Sequence, residues 1–361
     1  MKINKKNMQT IWFDKNSGYV KIINQTMLPF KLEIKELKNL EDTLIAIKDM
    51  WVRGAPLIGV TASYGMYLAS KKNSSYDFLL NSGEKLKQTR PTAVNLKWAV
   101  DKILNSIKSN NNFNRTQKIL KMANEIRKND IKACSKIGEN GLKLIKNLYK
   151  KKKEKINILT HCNAGWLATV DWGTALAPIY KAHRNGIPVH VWVDETRPRN
   201  QGFNLTAWEL MNEGIPCSLI VDNTGGHLMQ NNMVDACITG TDRTTANGDV
   251  CNKIGTYLKA LAAKDNNIPF YVAAPISSID FALNNGLKQI PIEMRNEKEI
   301  SHIMGLNKKG NLETVQAIPS KANCINYAFD VTPAKYITKI ITEKKVVEPN
   351  KKSILKLINE K

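Results

Sequence analysis

Nowhere in the 361 residues does an apolar run approach the roughly 18 residues needed to cross a bilayer. Met1-Lys2-Ile3-Asn4-Lys5-Lys6 leads into polar residues, not into the apolar core of a signal peptide. The chain therefore reads as soluble and cytoplasmic, with no membrane partner. Cysteine is sparse and scattered: the six residues, at 134, 162, 217, 237, 251 and 324, form no C-x-x-C pair and have no histidine at zinc-finger spacing. That pattern argues against a disulfide framework and a structural metal. Nucleotide loops are missing too, since no G-x-x-x-x-G-K-[ST] occurs and no G-x-G-x-x-G follows a strand-like run, so no nucleotide cofactor is expected. Acidic residues are in the minority, 32 against 54 basic, for a net charge of +22. A surplus of that size raises nucleic-acid binding, but its distribution argues otherwise. Only nine of the basic residues are arginine, and five of these (Arg53, Arg90, Arg197, Arg199, Arg243) fall in lysine-poor segments rich in glycine. The lysines are spread among asparagines over helix-like segments, as on solvated faces, so no nucleic-acid partner is read from them.

What is present suggests two domains, at about 100–200 residues each. Residues 1 to 40 alternate apolar and polar in short runs such as Tyr19-Val20-Lys21-Ile22-Ile23, with a turn-like Leu28-Pro29, and read as a small strand-rich entry unit. From Leu40 to about Lys150 the apolar spacing turns helical, as in Leu96, Ala99, Ile103 and Ile107. The run Lys150-Lys151-Lys152-Lys153-Glu154-Lys155 breaks this pattern and marks the junction, giving a mostly helical domain over 1–150 and a second domain over 151–361.

In the second domain short apolar runs alternate with helical stretches: Ile156–Thr160, Val189–Val193, Cys217–Val221, Ala236–Thr239 and Phe270–Ala274. Several are preceded by a helix stop and a proline, as in Asn185-Gly186-Ile187-Pro188 and Glu213-Gly214-Ile215-Pro216. The fold class is α/β: a Rossmann-like open parallel sheet behind a helical N-terminal domain.

Open parallel sheets bind ligands beyond the carboxyl ends of their strands. The residues after the runs are His161-Cys162-Asn163-Ala164-Gly165, then Asp194-Glu195-Thr196-Arg197-Pro198-Arg199-Asn200-Gln201, Asp222-Asn223-Thr224, and Gly240-Thr241-Asp242-Arg243. This one rim is dense in ionisable groups. Cys162 falls between a strand and what reads as a helix start, where amide dipoles favour a thiolate; it is a proton carrier or a buried apolar filler. Asp242 is a helix cap, an arginine partner, or a carboxyl held acidic by apolar strand ends. Arg53-Gly54-Ala55-Pro56 opens a helical run and offers backbone amides and a guanidinium to one phosphate. Arg90-Pro91-Thr92-Ala93-Val94-Asn95 repeats that layout, and Asn252-Lys253 adds an amide and a cation at another helix start.

These segments, with Gln25-Thr26-Met27-Leu28-Pro29 and Ala328-Phe329-Asp330-Val331-Thr332-Pro333, together resemble the methylthioribose-1-phosphate isomerases. That family shares a superfamily with the ribose-1,5-bisphosphate isomerases and with the alpha, beta and delta regulatory subunits of translation initiation factor 2B. The resemblance covers almost the whole chain. It implies an aldose-ketose isomerase of methionine salvage, a homodimer with no metal or organic cofactor. It also implies that Cys162 and Asp242 are the catalytic residues and that Arg53, Gly54, Ala55, Arg90, Gln201, Asn252 and Lys253 bind substrate. Thr241, Thr244 and Tyr327 stand where the family usually has Ala, Ile and Pro, beside the site. A regulatory subunit predicts loss of the thiol and carboxyl, and both are present. A ribose-1,5-bisphosphate isomerase needs a second phosphate pocket, whereas Trp51, Trp166 and Trp172 suit a methylthio group or simple core packing.

Overall fold

The structure, a computed structural model, describes residues 1–3, 5–90, 93–108 and 114–359. After a two-residue ladder of Lys2–Ile3 with Lys6–Asn7, an antiparallel sheet runs in the order β1 (Ile11–Asp14), β2 (Tyr19–Ile23), β3 (Ile34–Leu37). Alternation puts Ile11, Val20, Ile22 and Leu37 on one wholly buried face. That face closes over a layer of helices: α1 (Leu40–Lys48), α2 (Ala55–Lys72), α3 (Tyr76–Thr89), α4 (Val94–Ile107) and α5 (Arg115–Lys152). Small or apolar residues on every side let α2 be buried without interruption from Leu57 to Ser70.

The long helix α5 serves two cores. Ile119, Ala123 and Ile126 join the helical layer, while Ile137 and Ile145 pack under the sheet that follows. Lys153, at φ 58°, ends the helix in a left-handed turn whose N–H bonds the Tyr149 carbonyl at 2.7 Å. The lysine run is thus the last turn of a helix and the step into a strand.

From there the chain runs β4 (Ile156–Thr160), α6 (Leu176–Arg184), β5 (Val189–Asp194), α7 (Ala207–Asn212), β6 (Cys217–Ile220), α8 (Thr224–Gln230) and β7 (Ala236–Thr239). It continues through β8 (Arg243–Thr245), β9 (Val250–Lys253), α9 (Thr256–Asp265), β10 (Phe270–Ala273), β11 (Ile279–Asp280), and a hairpin of β12 (His302–Leu306) and β13 (Leu312–Gln316). It ends with β14 (Phe329–Thr332), β15 (Lys339–Ile341), β16 (Val346–Val347) and α10 (Lys351–Asn359).

The main sheet has the order β16-β15-β10-β7-β4-β5-β6, parallel except for β16. Its first six strands in chain sequence therefore lie 3-2-1-4-5-6, the doubly wound arrangement. The strand centres are apolar on both sides because helices cover both faces, and the expected helix stops are there, with Gly186 at φ 73° and Gly214 at φ 70°. Two features were not anticipated from the sequence: β15, and a four-stranded sheet in the order β11-β8-β9-β14 beside the rim. Their strands are two to four residues long with mixed polarity, too short for a period to register.

Helices α5 and α6 meet at two glycines. A Cβ on Gly141 would stand 2.4 Å from Pro178 Cγ, and one on Gly138 2.8 Å from Lys181 Cε. Gly141→Val is expected to pry this contact open at a cost of about 1–3 kcal/mol. A urea unfolding midpoint lowered at constant slope is the signature, and an unchanged midpoint would refute it.

Candidate active site

Strands β4 and β7 are hydrogen-bonded neighbours, paired through Ile158 with Ala236 and Leu159 with Cys237. Yet the chain leaves β4 toward β5 and leaves β7 toward β10, so a crevice opens between their carboxyl ends. The turn His161–Gly165 forms one wall and Gly240–Asp242 the other. They approach closely: a Cβ on Gly240 would lie 2.6 Å from the Ala164 Cβ, so only glycine admits the contact.

Cys162, 8 % exposed, sits at φ 63°, a costly conformation for a residue with a side chain. Its neighbours hold it there. Its N–H donates to Thr196 Oγ1 at 2.9 Å and its carbonyl accepts from Thr206 Oγ1 at 2.7 Å. Asn163 receives the Arg53 guanidinium on both its side-chain and backbone oxygens, at 2.5 and 2.7 Å. Its amide then donates to Glu209 Oε1 at 2.8 Å. Glu209 is fully buried and also accepts from the Trp166 and Leu167 N–H groups and from the Tyr180 hydroxyl. Burial raises its pKa against those hydrogen bonds. Gly165 completes the arrangement, because a Cβ there would overlap the Glu209 carboxylate.

Asp242 faces the same crevice, its backbone N–H bonded to the Cys251 carbonyl at 3.0 Å. Burial raises its carboxyl pKa, although the Lys253, Arg53 and Arg90 charges pull the other way. Desolvation outweighs three cations. Lys253, 6 % exposed, is in turn lowered by burial, with the Cys162 and Asp242 charges opposing that shift. The ammonium thus lies within the field of both the thiol and the carboxyl. Among the described residues neither the Asp242 carboxyl nor the Lys253 ammonium has a hydrogen-bond partner. Among the described residues Arg90 reaches only Glu293, at 3.5 Å, and neither its buried Nε nor the buried Oε1 of Gln201 has a partner there. The structure gathers Arg53, Gly54, Ala55 and Arg90 on the helical side of the crevice and Gln201 and Lys253 on the sheet side, while the Asn252 amide is buried against Thr256 Oγ1 at 3.0 Å. Pro91 and Thr92, between Arg90 and α4, lie outside the described residues.

Two cavities adjoin these groups. A cleft of about 870 Å³ is bordered by Arg53, Gln201, Arg197 and Arg295. A pocket of about 30 Å³, the space of one small group, lies against Asp242 and is walled by Ala55, Ile58, Ile290 and Phe329, with Arg90 at its edge.

Several sequence expectations need correction. No α-helix starts at Cys162; the turn leads into a single 3-10 turn, Trp166–Ala168, and α6 begins only at Leu176. Hydrogen bonds to Thr196 and from Thr206, not a helix dipole, set the cysteine. Asn252 and Lys253 close β9, paired with Asp330 and Phe329, and α9 starts three residues later, so their backbone serves a ladder. Asp242 caps no helix and pairs with no arginine; Arg243 pairs with Asp280 instead. The tryptophans are elsewhere: Trp166 is fully buried against Trp208, Trp172 lies under Lys181 and Arg184, and Trp51 under Lys35. The structural weight of Glu209 was missed, since Trp208-Glu209-Leu210 reads as an ordinary helix surface. A trio of His161, Asp194 and Asp222 has metal-like spacing. Lys259 already places its ammonium 2.7 Å from Asp194, and both Asp222 oxygens accept backbone N–H groups, so those donors are spent.

A family model described as the initiation factor 2 subunit family matches residues 51–349. The chain is 55 % identical, over 356 residues, to a methylthioribose-1-phosphate isomerase of Escherichia coli O45:K1, covering 98 % of this chain and 95 % of that one. Among solved structures it is similar to 5-methylthioribose 1-phosphate isomerase from Pyrococcus horikoshii OT3, with 39 % identity, a TM-score of 0.83, and coverage of 98 % and 96 %. It is also similar to translation initiation factor eIF-2B subunit delta from A. fulgidus, with 37 % identity, a TM-score of 0.79, and coverage of 98 % and 100 %.

Removing the Glu209 carboxylate strands several buried donors at once, each worth about 1–3 kcal/mol when left unpaired. Glu209→Ala is expected to lower thermal stability by several degrees or to prevent folding. A melting temperature equal to the parent's would show that the carboxylate does not hold the turn.

Proposed function

The chain belongs to the initiation factor 2 subunit family, and on that footing we propose how its crevice works as a methylthioribose-1-phosphate isomerase. The reaction converts 5-methylthioribose 1-phosphate into 5-methylthioribulose 1-phosphate, an aldose-ketose isomerisation of methionine salvage. The observation that carries the site assignment is the meeting of the Cys162 turn and Asp242 at the β4/β7 divide, with Lys253 in the field of both.

In this substrate the anomeric oxygen is phosphorylated, so no free aldehyde forms and the ring must be opened by acid. Asp242, whose carboxyl burial shifts toward its acid form, donates to the ring oxygen, the bond from that oxygen to carbon 1 breaks, and positive charge develops at carbon 1. Hydrogen then moves from carbon 2 to carbon 1 and the carbon 2 hydroxyl gives up its proton to become the ketone. Cys162 is the base if hydrogen travels as a proton, and confines the cation if it travels as a hydride. Arg53, Arg90 and Lys253, with the Gly54 and Ala55 backbone at the start of α2, hold the phosphate; Gln201 and Asn252 supply hydroxyl contacts. The small pocket beside Asp242 supports a methylthio group in preference to a second phosphate. Its lining is mostly apolar, with Arg90 and Arg243 the basic residues on it, its space is that of one small group, and the methylthio-bearing carbon is attached next to the ring oxygen that Asp242 protonates. The retained thiol and carboxyl weigh against a purely regulatory role.

We further infer a cytoplasmic homodimer. The six thiols are all unpaired, which suits a reducing compartment. The edge strand β6 shows Leu219 at 50 % exposure, and nearby Met211 and Val221 are more exposed still, an apolar margin suited to a second copy.

Turnover of 5-methylthioribose 1-phosphate, followed by NMR against ribose 1,5-bisphosphate, tests the reading, and well-folded protein inert on the first substrate would overturn it. Cys162→Ser and Asp242→Asn are each expected to cut kcat by about a hundredfold or more; near-parental rates in both would dismiss the assigned roles. Substrate deuterated at carbon 2 separates the two routes, since a proton washes out into water and a hydride stays. The acid form of Asp242 is the active one, so kcat/KM is expected to fall as pH rises through its raised pKa. Bound phosphate offsets the cations that lower this pKa, so the limb in kcat should lie at higher pH than the limb in kcat/KM. Limbs at the same pH, or in reversed order, would contradict that coupling.

A further inference from the structure

Beside Cys162 the imidazole of His161 is 1 % exposed and bonded at both ends. Nε2 lies 2.8 Å from the carbonyl of Ile254, the residue after Lys253. A carbonyl only accepts, so Nε2 carries a hydrogen. Nδ1 lies 3.0 Å from Asp194 Oδ2, and with Nε2 protonated this contact needs a second proton, held by one atom or the other. Asp194 is wholly buried, and its Oδ2 also takes the Lys259 ammonium at 2.7 Å while its Oδ1 has no partner among the described residues. Lys259 in turn donates to the Asp222 carbonyl at 3.2 Å, and the Asp222 carboxylate accepts the N–H groups of Thr196 and Arg197, both at 2.8 Å. Thr196 is the residue whose hydroxyl holds the Cys162 N–H. The bonds close a ring that leaves the Cys162 turn through His161 and returns to it through Thr196. Gly255, at φ 100°, makes room beside the imidazole, since a Cβ there would stand 3.3 Å from His161 Cε1.

Burying this many charges is expensive, and one carboxylate oxygen is left unpaired. A hydrophobic pair would anchor a strand end more cheaply. What directional bonds give instead is a set position for the two residues next to the anchor points, Cys162 on one side and Lys253 on the other.

We propose that His161, with Asp194 and Lys259 behind it, is a positioning residue that clamps the Cys162 turn to the β9 end carrying Lys253 and so sets the spacing of thiol and ammonium. The inference rests on the functional reading above. Misplacement by about 1 Å costs on the order of a hundredfold in rate. His161→Ala is therefore expected to lower kcat by about thirtyfold or more, with KM within about threefold because the phosphate contacts from Arg53, Arg90 and the start of α2 do not depend on the clamp. His161→Gln, whose amide can still reach the Ile254 carbonyl, should recover much of that loss. A kcat within threefold of the parent's in His161→Ala, or His161→Gln as impaired as His161→Ala, would overturn the clamp.

A second measurement needs no substrate. Mass-mapped alkylation by iodoacetamide is expected to label Cys162 about fivefold faster in His161→Ala and Asp194→Asn, with Cys237 and Cys251 unchanged, because a local release exposes one thiol and global loosening exposes all three. Equal labelling of Cys162 in parent and variants, or parallel gains at all three cysteines, would reject the clamp. If the parent enzyme fails on 5-methylthioribose 1-phosphate, the functional reading falls while this labelling still judges the clamp.

Discussion

Two hydrogen-bonded strands, β4 and β7, send their chains off in opposite directions, and the gap between those departures is the constraint on which the chemistry rests. A parallel sheet puts all its strand ends on one rim, but only at such a divide can two polar turns face each other without a crossover in between. The close approach of Gly240 to Ala164 narrows the gap, and Gly54, whose missing Cβ would meet the Ala168 backbone at 2.4 Å, brings the start of α2 up beside it. Three glycines at contacts where no side chain fits, counting Gly165 against Glu209, thus govern how tightly the crevice closes.

Buried polar groups rather than apolar packing give the crevice its shape. Asn163 links the Arg53 guanidinium to the Glu209 carboxylate, and His161 links the cysteine turn to the backbone beside Lys253. Each of these side chains flanks Cys162 directly in the chain. A residue at positive φ is held from both sides, and the strain is sustained by bonds that the rest of the sheet supplies. The cost is stability, and the return is that the groups lining the crevice do not have to be organised when a ligand arrives.

Charge in this protein works on two scales. The surplus of +22 is carried by lysines on solvated faces, where water and salt reduce each to little. The crevice holds few charges, but they are dry. There burial raises the Asp242 pKa even with Arg53, Arg90 and Lys253 nearby, and lowers that of Lys253. The shift is upward even among cations because removing water costs a single carboxylate more than the cations return.

Read alone, the residues determine the alternation of strands and helices, the helix stops at Gly186 and Gly214, and the polar rim, because each depends on neighbours within about ten positions. Apolar runs such as Val189–Val193 and Gly-x-Pro punctuation carry that information locally. The motifs carrying the family resemblance also depend only on the order of residues. Strand order, by contrast, is a matter of pairing between segments some eighty residues apart, and no local pattern states that Ile158 sits beside Ala236. The same holds for Glu209, an ordinary helix-surface charge until the sheet folds it beneath Asn163, and for Lys253, which looked like a helix start and proved to be the last rung of an antiparallel ladder with Phe329. Local sequence sets which segments form; only burial and long-range hydrogen bonding decide which polar groups lose their water, and with it which of them acquire the pKa and the position that chemistry requires.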